Sequence, residues 1–338
     1  MAALLPFEIV ENIVEYLDFE DVRSIARVCS AFQLPARLRL FRTIRIISNA
    51  HNTYPTPNHP ILSSLHLLQY SSCFLVSCIG SMQQAPIYSL WSHLPTMYHL
   101  RNMEISLTPN DCSRALYALE RFGSAREIAL SLGCDLAPDL LISDNPLPVH
   151  SLRLHVDPST HQVATRIVQK CSQSLQKLSL LLKDETTTLL PFLPHLCEFS
   201  LQTSLFELED PNLMLWFPFL YQHPTITRIS LDPTFTLAMQ PPPNLLPNLQ
   251  SLEAHPAIIE RLIPGRRVNC ITTECHFYET TDDFPDDILL RPLRQSVVPV
   301  TTFAIKTCTY FPNDILINIV QTLPQLRKFS FDWFCHEV

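Results

Sequence analysis

Four residues of one region combine thiol and imidazole groups that could hold a zinc ion: His255, Cys270, Cys275 and His276. A structural zinc site needs short Cys or His spacings on both sides, and this cluster supplies one loose half. We therefore predict no metal site and no cofactor. The sequence also lacks a P-loop and the GxSxG, HExxH and GxGxxG patterns. These absences predict no catalytic residues and a protein that is not an enzyme.

The composition predicts a protein of the cytoplasm and/or the nucleus. The 11 cysteines have no paired short spacings, which indicates reduced thiols. No basic region precedes the first apolar residues, so we expect no secretory signal. The formal net charge is −8, from 24 basic and 32 acidic residues. This balance argues against nucleic acid as the main partner, since that partner would require a basic surface.

One long stretch, residues 46–100, contains no Asp, Glu, Lys or Arg and raises the question of a membrane span. Its most apolar part, residues 62–79, contains His66, Gln69 and Tyr70 together with several serines. That polarity does not suit a transmembrane helix. We expect a buried layer of a soluble domain and no membrane partner.

The first 46 residues have the pattern of three short helices. Pro6 suits the first turn of a helix, where its missing N–H needs no acceptor. Asp18 has the residue type of an N-cap for the second helix. Pro35 is expected to delay or kink the third helix. Three helices of this size bury little surface, so they need a partner or a neighbouring domain.

This stretch resembles an F-box. The resemblance is carried by Leu5-Pro6-Phe7-Glu8-Ile9, Ile13, Leu17, Asp21-Val22, Val28-Cys29 and Phe32. It implies that residues 1–46 bind the Skp-type adaptor of a cullin–RING ubiquitin ligase. The implied adaptor contacts are Leu5, Pro6, Ile9, Val10, Ile13, Leu17, Val28, Cys29 and Phe32. An alternative is a small helical cap that only closes one end of the following domain.

The rest of the chain, residues 47–338, repeats one apolar unit, of which a first copy already stands at Phe41-Ile44-Ile46. The unit is an apolar residue, two others, an apolar residue, one other and an apolar residue. Further copies begin at Leu62, Leu100, Ala125, Val149, Leu175, Leu196, Ile226, Leu249, Val300 and Leu326, with a poorer copy at Val268. A step of about 25 residues is typical of leucine-rich repeats, in which each coil gives one strand and one return segment. Return helices are expected at residues 110–122, 159–171, 211–221 and 312–322.

The predicted fold class is therefore α/β. We expect a three-helix F-box followed by an irregular leucine-rich-repeat-like solenoid with a curved parallel sheet, similar to fungal-type F-box proteins with leucine-rich repeats. The usual asparagine after the last apolar position is missing, and the chain has only 4 glycines. Each turn after a strand must therefore be stabilised in another way. Residues 256–293 fit the repeat worst and are expected to include an exposed loop.

The two resemblances together imply the substrate-recognition subunit of an SCF-type ubiquitin ligase. Its partners would be the adaptor with the cullin core and an unknown protein substrate. Outward strand positions should form the substrate surface, and Ser179, Ser200, Ser230 and Ser330 are expected in one column. The alternative is an interaction scaffold that uses the same two parts without a ligase.

Overall fold

The computed structural model describes twelve stretches of the chain, residues 6–48, 69–78, 100–107, 126–132, 146–157, 159–183, 190–203, 212–237, 239–242, 244–275, 286–307 and 313–333. The chain divides into two compact units, Met1–Leu152 and Arg153–Val338. Both units follow one plan in which parallel strands pair in chain order, and the first unit begins with helices.

The first unit opens with the three predicted helices. They are α1 (Phe7–Tyr16), α2 (Phe19–Val28) and α3 (Ser30–Leu40). Their core is formed by Val14, Val22 and Ala36, one residue from each helix. The half-buried side chains packed against this core are Leu17, Ala26, Phe32 and Leu40. Since α3 contacts both α1 and α2, it holds the group together.

The helix boundaries agree with the sequence in one place and differ in two. Asp18 caps α2, because its Oδ1 accepts a hydrogen bond from the Asp21 N–H at 2.8 Å. Pro6 lies just before α1, and its carbonyl accepts from the N–H groups of Ile9 and Val10. Helix α3 begins at Ser30 and continues through Pro35, so it does not start late. Pro35, which has no N–H to donate within the helix, is buried beside Ala36.

In the described residues of the first unit, the helices are followed by four parallel strands. They are β1 (Thr43–Ser48), β2 (Cys73–Cys78), β3 (Asn102–Leu107) and β4 (Glu127–Leu132), paired in that order. The predicted unit at residues 62–67 lies outside the described residues, and β2 was not predicted. Ser71 stands where the repeat has its first apolar residue, and it is buried because its hydroxyl donates to the Cys73 carbonyl.

The next strand, β5 (Ser151–Val156), crosses the boundary between the units. The strands of the second unit are β6 (Lys177–Leu182), β7 (Glu198–Thr203), β8 (Arg228–Leu231), β9 (Ser251–Ala254), β10 (Cys270–Cys275), β11 (Thr302–Thr307) and β12 (Lys328–Trp333). They pair in chain order and all in parallel, from β6 to β12. This arrangement fits a repeat solenoid, since each coil adds one strand beside the last.

The return segments of the second unit are mostly helical. They contain α4 (His161–Cys171), a 3₁₀ turn (Leu213–Trp216) leading into α5 (Phe217–Gln222), α6 (Pro256–Leu262), α7 (Asp286–Leu293) and α8 (Asn313–Thr322). Three of the four predicted return helices are therefore present, and residues 110–122 lie outside the described part. The described portion of residues 256–293 holds α6, β10 and α7. Residues 276–285, which lie between β10 and α7, are outside the described part, so the exposed loop expected in this region stays a prediction.

A proline turn precedes four of these strands. In each, the residue before the proline accepts a hydrogen bond from the N–H three positions later, as in Leu196 to Leu193 at 3.2 Å. The same bond joins Ile226 to His223, Leu249 to Leu246 and Leu326 to Leu323. Proline fits the second position of such a turn because its φ is already set. Among the helices described, none is long and apolar enough to cross a membrane.

Candidate functional site

Helix α1 carries apolar side chains on two different faces. Val10 and Val14 point into the first unit and are buried. Ile9, Ile13 and Tyr16 follow each other at helical spacing on another face and are 46%, 37% and 91% exposed. A surface helix normally has one apolar face and one polar face. The second apolar face of α1 is therefore suited to be covered by another protein.

The other two helices add to this exposed apolar surface. Phe7, Phe19 and Leu34 are also exposed large hydrophobic residues of α1–α3. The nine adaptor contacts predicted from the sequence do not include Phe7, Tyr16, Phe19 or Leu34. Tyr16 could have been found, because it lies three residues after Ile13 on the same helical face. Exposed apolar side chains in such density mark interaction sites more often than free surface.

The nine predicted adaptor contacts fall into different environments. Pro6, Ile9, Ile13 and Cys29 are exposed, whereas Leu17 and Phe32 are half-buried against the helical core. Val10 is buried, so the free chain does not present its side chain. Leu5 and the side chain of Val28 lie outside the described residues. Adaptor binding by these nine residues stays a prediction.

The helices are joined to the strands that follow within the first unit. Helix α3 ends two residues before Arg42, whose Nη1 lies 3.1 Å from Glu15 Oε1 of α1. The carbonyl of Arg42 accepts from the N–H groups of Ser72 and Cys73 at the start of β2. Both side chains of the ion pair are exposed, so it contributes less than about 1 kcal/mol. The continuous backbone and these hydrogen bonds are the stronger link.

Residues 3–33 match the family model of the F-box domain. The chain carries an F-box domain. F-box domains bind Skp-type adaptors in cullin ligases, and F-box proteins are generally substrate adaptors rather than enzymes. At this general level, the match supports a role in substrate recognition within an SCF complex. No curated protein matches the chain.

Apart from the F-box domain, the outward positions of β6–β12 form a second candidate surface. Its first row begins with Lys177, Glu198 and Arg228 on neighbouring strands. Glu198 lies between the two cations, with its oxygens 3.0 Å from Lys177 Nζ and 3.6 Å from Arg228 Nη1. At this end of the row, the charge of Glu198 is therefore shared between two cations.

The middle row of this surface is made of small residues. Ser179, Ser200 and Ser230 are register partners, which confirms the predicted column. The row continues through Glu253, Thr272 and Ala304 to Ser330. Glu253 is its single large member among β6–β12, and its Oε2 accepts from the Ser230 hydroxyl at 2.9 Å. Small side chains keep this row low, so a bound chain segment could approach the strands closely.

Lys306 lies in the third row of outward positions, together with Glu274 and Asp332. Its side chain extends to Glu253 in the middle row. Its ammonium group hydrogen-bonds the Glu253 carboxylate, and its register partners on β10 and β12 are Glu274 and Asp332. Burial lowers the pKa of Lys306, but the Glu253 hydrogen bond and the charges of Glu253, Glu274 and Asp332 outweigh it and raise that pKa. The lysine therefore stays charged, and the surrounding acids exceed it in number.

Two polar side chains of the second unit, those of Arg266 and His255, have structural roles. Arg266 is buried, and its guanidinium donates to the carbonyls of Pro242, Leu245, Leu262 and Pro264. The Arg266 guanidinium is therefore not available to bind a phosphate group. His255 accepts a hydrogen bond from the Ala257 N–H at the start of α6. Within the described residues, no three His, Cys, Asp or Glu side chains are placed to hold a metal ion.

Proposed function

We propose that this chain is the substrate-recognition subunit of an SCF-type cullin–RING ubiquitin ligase. The F-box domain binds the Skp-type adaptor, and the outward faces of the strands bind the substrate protein. The match of residues 3–33 to the F-box domain carries this proposal. The cysteine pattern leads us to place this activity in the cytoplasm or nucleus.

The adaptor side of the proposal is supported by the exposed apolar face of α1. Ile9 and Ile13 remain accessible although Val10 and Val14 of the same helix are buried. A helix that only capped the strands would have no reason to expose both isoleucines. Burying such side chains in a partner groove supplies most of the binding free energy in helix-in-groove complexes.

The substrate side is supported by the strands of the second unit. Seven parallel strands, β6–β12, stack in one run. At about 4.8 Å per step their outward face extends for about 29 Å. It combines a low central row with charged side chains in the rows on each side, which suits an extended protein segment. We identify the run as leucine-rich-repeat-like on the recurring apolar spacing.

The proposed mechanism requires no bond-making by this chain. One part holds the ligase core and another holds the substrate, so the transfer of ubiquitin becomes effectively intramolecular. Linking two binding events in this way raises the effective concentration to about the millimolar range for short connections. The specificity then depends on the outward strand positions, and the rate depends on the ligase core.

The double substitution Ile9→Asp with Ile13→Asp tests the adaptor contact. Truncating one buried anchor costs about 2–4 kcal/mol of binding, so the pair should weaken adaptor binding by at least about 100-fold. Both side chains are exposed in the free chain, so the far-UV circular dichroism spectrum should not change. The matched control is Leu215→Asp, an exposed leucine of the second unit.

The measurement is co-purification with the Skp-type adaptor, followed by a binding titration. Undiminished binding by the double variant, or an equal loss in the Leu215→Asp control, would refute this assignment of the face. Recovery of the adaptor without cullin and RING subunits would instead favour the scaffold alternative. Ubiquitin chains formed on a co-purified protein by the reconstituted complex would favour the ligase.

A further inference from the structure

Lysine is distributed unevenly along this chain. Of its 24 basic residues, 19 are arginines and five are lysines. The lysines are Lys170, Lys177, Lys183, Lys306 and Lys328. In average proteins lysine is among the commonest residues. Here every basic residue of the first unit, Met1–Leu152, is an arginine, and this is the unit that carries the F-box domain.

The ion pairs of the first unit do not require a guanidinium group. Arg23 Nη1 lies 2.8 Å from Glu20 Oε1, which precedes it by one turn of α2. Arg42 Nη1 lies 3.1 Å from Glu15 Oε1. Each pair uses one guanidinium nitrogen, and all four side chains are exposed. A lysine would form such a pair at a similar free energy, since exposed ion pairs contribute at most about 1 kcal/mol. Stability alone therefore does not explain the choice of arginine at these positions.

Lysine and arginine differ chemically in the reaction that a ubiquitin ligase directs. An unprotonated lysine amine attacks the thioester carbonyl that joins ubiquitin to its carrier enzyme. A C–N isopeptide bond forms and the C–S bond breaks, and the departing cysteine thiolate takes up the proton that the nitrogen loses. The guanidinium group stays protonated in proteins, so an arginine does not accept ubiquitin.

The proposed ligase function brings this chain itself close to that reaction. A receptor that holds a substrate near the charged carrier enzyme also holds its own side chains near it. Tethering raises their effective concentration to about the millimolar range, just as it does for the substrate. An exposed amine on the receptor would therefore compete with the amines of the substrate.

Three of the five lysines are held by carboxylates. The pairs are Lys177 with Glu198, Lys183 with Asp157 and Lys306 with Glu253. The Asp157 side chain is buried, so its contact with Lys183 Nζ at 2.8 Å is less screened than a surface pair. A carboxylate partner favours the ammonium form of lysine, and an ammonium group has no electron pair with which to attack a thioester.

We propose that this chain is protected from the ubiquitin transfer that it directs. Arginine in place of lysine keeps acceptor amines out of the unit that carries the F-box domain, and carboxylate partners hold three amines of the second unit in the ammonium form. The receptor then remains unmodified while it presents successive substrates. This inference rests on the proposed ligase function and concerns the regulation of that function.

Adding lysine to the first unit tests this protection. Arg101 and Arg126 are exposed and lie outside α1–α3, just before β3 and β4. In the double variant Arg101→Lys with Arg126→Lys, the initial rate of ubiquitin attachment to the chain should rise at least about tenfold over the native rate. The matched control, Arg101→Gln with Arg126→Gln, removes the same guanidinium groups without adding an amine and should keep the native rate. A chain with arginine at all five lysine positions gives the baseline, and the native rate should lie close to it.

The assay contains the full chain, the Skp-type adaptor, the cullin and RING subunits, the activating and carrier enzymes, ubiquitin and ATP, without substrate. Mass spectrometry locates ubiquitin on each lysine. Discharge of the charged carrier enzyme to free lysine in solution reports independently whether the ligase is active. With an active ligase, a native chain modified as fast as the double variant would overturn this inference alone, and so would a double variant that stays unmodified at the two added lysines. Failure of the complex to assemble or to accelerate the discharge would overturn the ligase proposal, and this inference with it.

Discussion

Replacing Arg266 with alanine is expected to remove a large share of the stability of the second unit. The side chain is buried, and it makes three hydrogen bonds of 2.7–2.9 Å and one of 3.3 Å to backbone carbonyls. The acceptors belong to the end of α6, to Pro264 and to the loop of Pro242 and Leu245. One side chain therefore joins two neighbouring coils, which are also linked by a hydrogen bond from the Arg261 guanidinium to the Leu237 carbonyl.

The expected loss in the free energy of unfolding follows from the backbone carbonyls that would lose their hydrogen-bond donor. A hydrogen bond to a charged group contributes about 1.5–3 kcal/mol, and water entering the vacated space would restore part of it. We expect a net loss of about 3–5 kcal/mol, comparable to breaking a buried charged interaction. That is a large part of a typical domain stability of about 5–15 kcal/mol. Burial lowers the pKa of Arg266, but arginine remains charged in this environment.

Urea unfolding followed by circular dichroism measures this loss. Arg266→Lys keeps the charge but not the planar fork of donors, so its loss should be intermediate. The control is Arg267→Ala at the exposed neighbouring position, which should change the free energy of unfolding by less than about 0.5 kcal/mol. Equal effects of the two alanine substitutions would refute the reasoning, and so would a native-like Arg266→Ala variant.

Three other predictions concern single side chains. His223 is buried between the Leu193 N–H and the Phe219 carbonyl, and burial lowers its pKa. The neutral imidazole should therefore contribute fully to the free energy of unfolding above about pH 6.5 and contribute less as the pH falls below that value. In the His223→Gln variant, the urea midpoint should depend less on pH. Asp18→Ala should destabilise the F-box helices by about 1 kcal/mol in thermal unfolding, with Asp18→Asn near native. Burial raises the pKa of Cys171 to about 12, so this thiol should resist alkylation until urea unfolds the unit, as mass spectrometry would show.

The strands were predictable because inward strand positions tolerate little besides apolar residues. The spacing located β1 and β3–β12 correctly, including the poorer copy at Val268-Ile271-Thr273 that became β10. Thr273 is buried there at an inner position normally held by an aliphatic residue. The spacing of the repeat unit was therefore sufficient to locate this strand, although a threonine replaces its last apolar residue.

Strand β2 was missed because its first inner position is polar. Ser71 replaces the apolar residue, and its hydroxyl donates to the Cys73 carbonyl at 2.8 Å. A search for apolar residues alone rejects such a unit, although Phe74 and Val76 follow at the expected spacing. The tertiary role of Arg266 was equally hidden, because nothing local to Gly265-Arg266-Arg267 shows which carbonyls will surround the side chain.

The F-box surface illustrates a different limit. The apolar residues of α1 could be read from the sequence, but not their division between two faces. Which of Ile9 and Val10 faces inward depends on where α2 and α3 pack, and the structure buries Val10. The sequence therefore predicts the presence of a docking surface more reliably than it predicts which residues form that surface.

In two described coils, the missing repeat asparagine is replaced by different hydrogen-bonding arrangements. After β5, the Thr160 hydroxyl accepts from the Asp157 N–H and donates to the Asp157 carbonyl. After β8, Asp232 Oδ1 accepts from both the N–H and the hydroxyl of Thr234, and that hydroxyl also bonds Thr203 of the preceding coil. Backbone groups at a turn must be satisfied, but no single residue type is required to do it. The apolar spacing is consequently the stronger physical demand of this architecture, and the turns are free to vary in sequence.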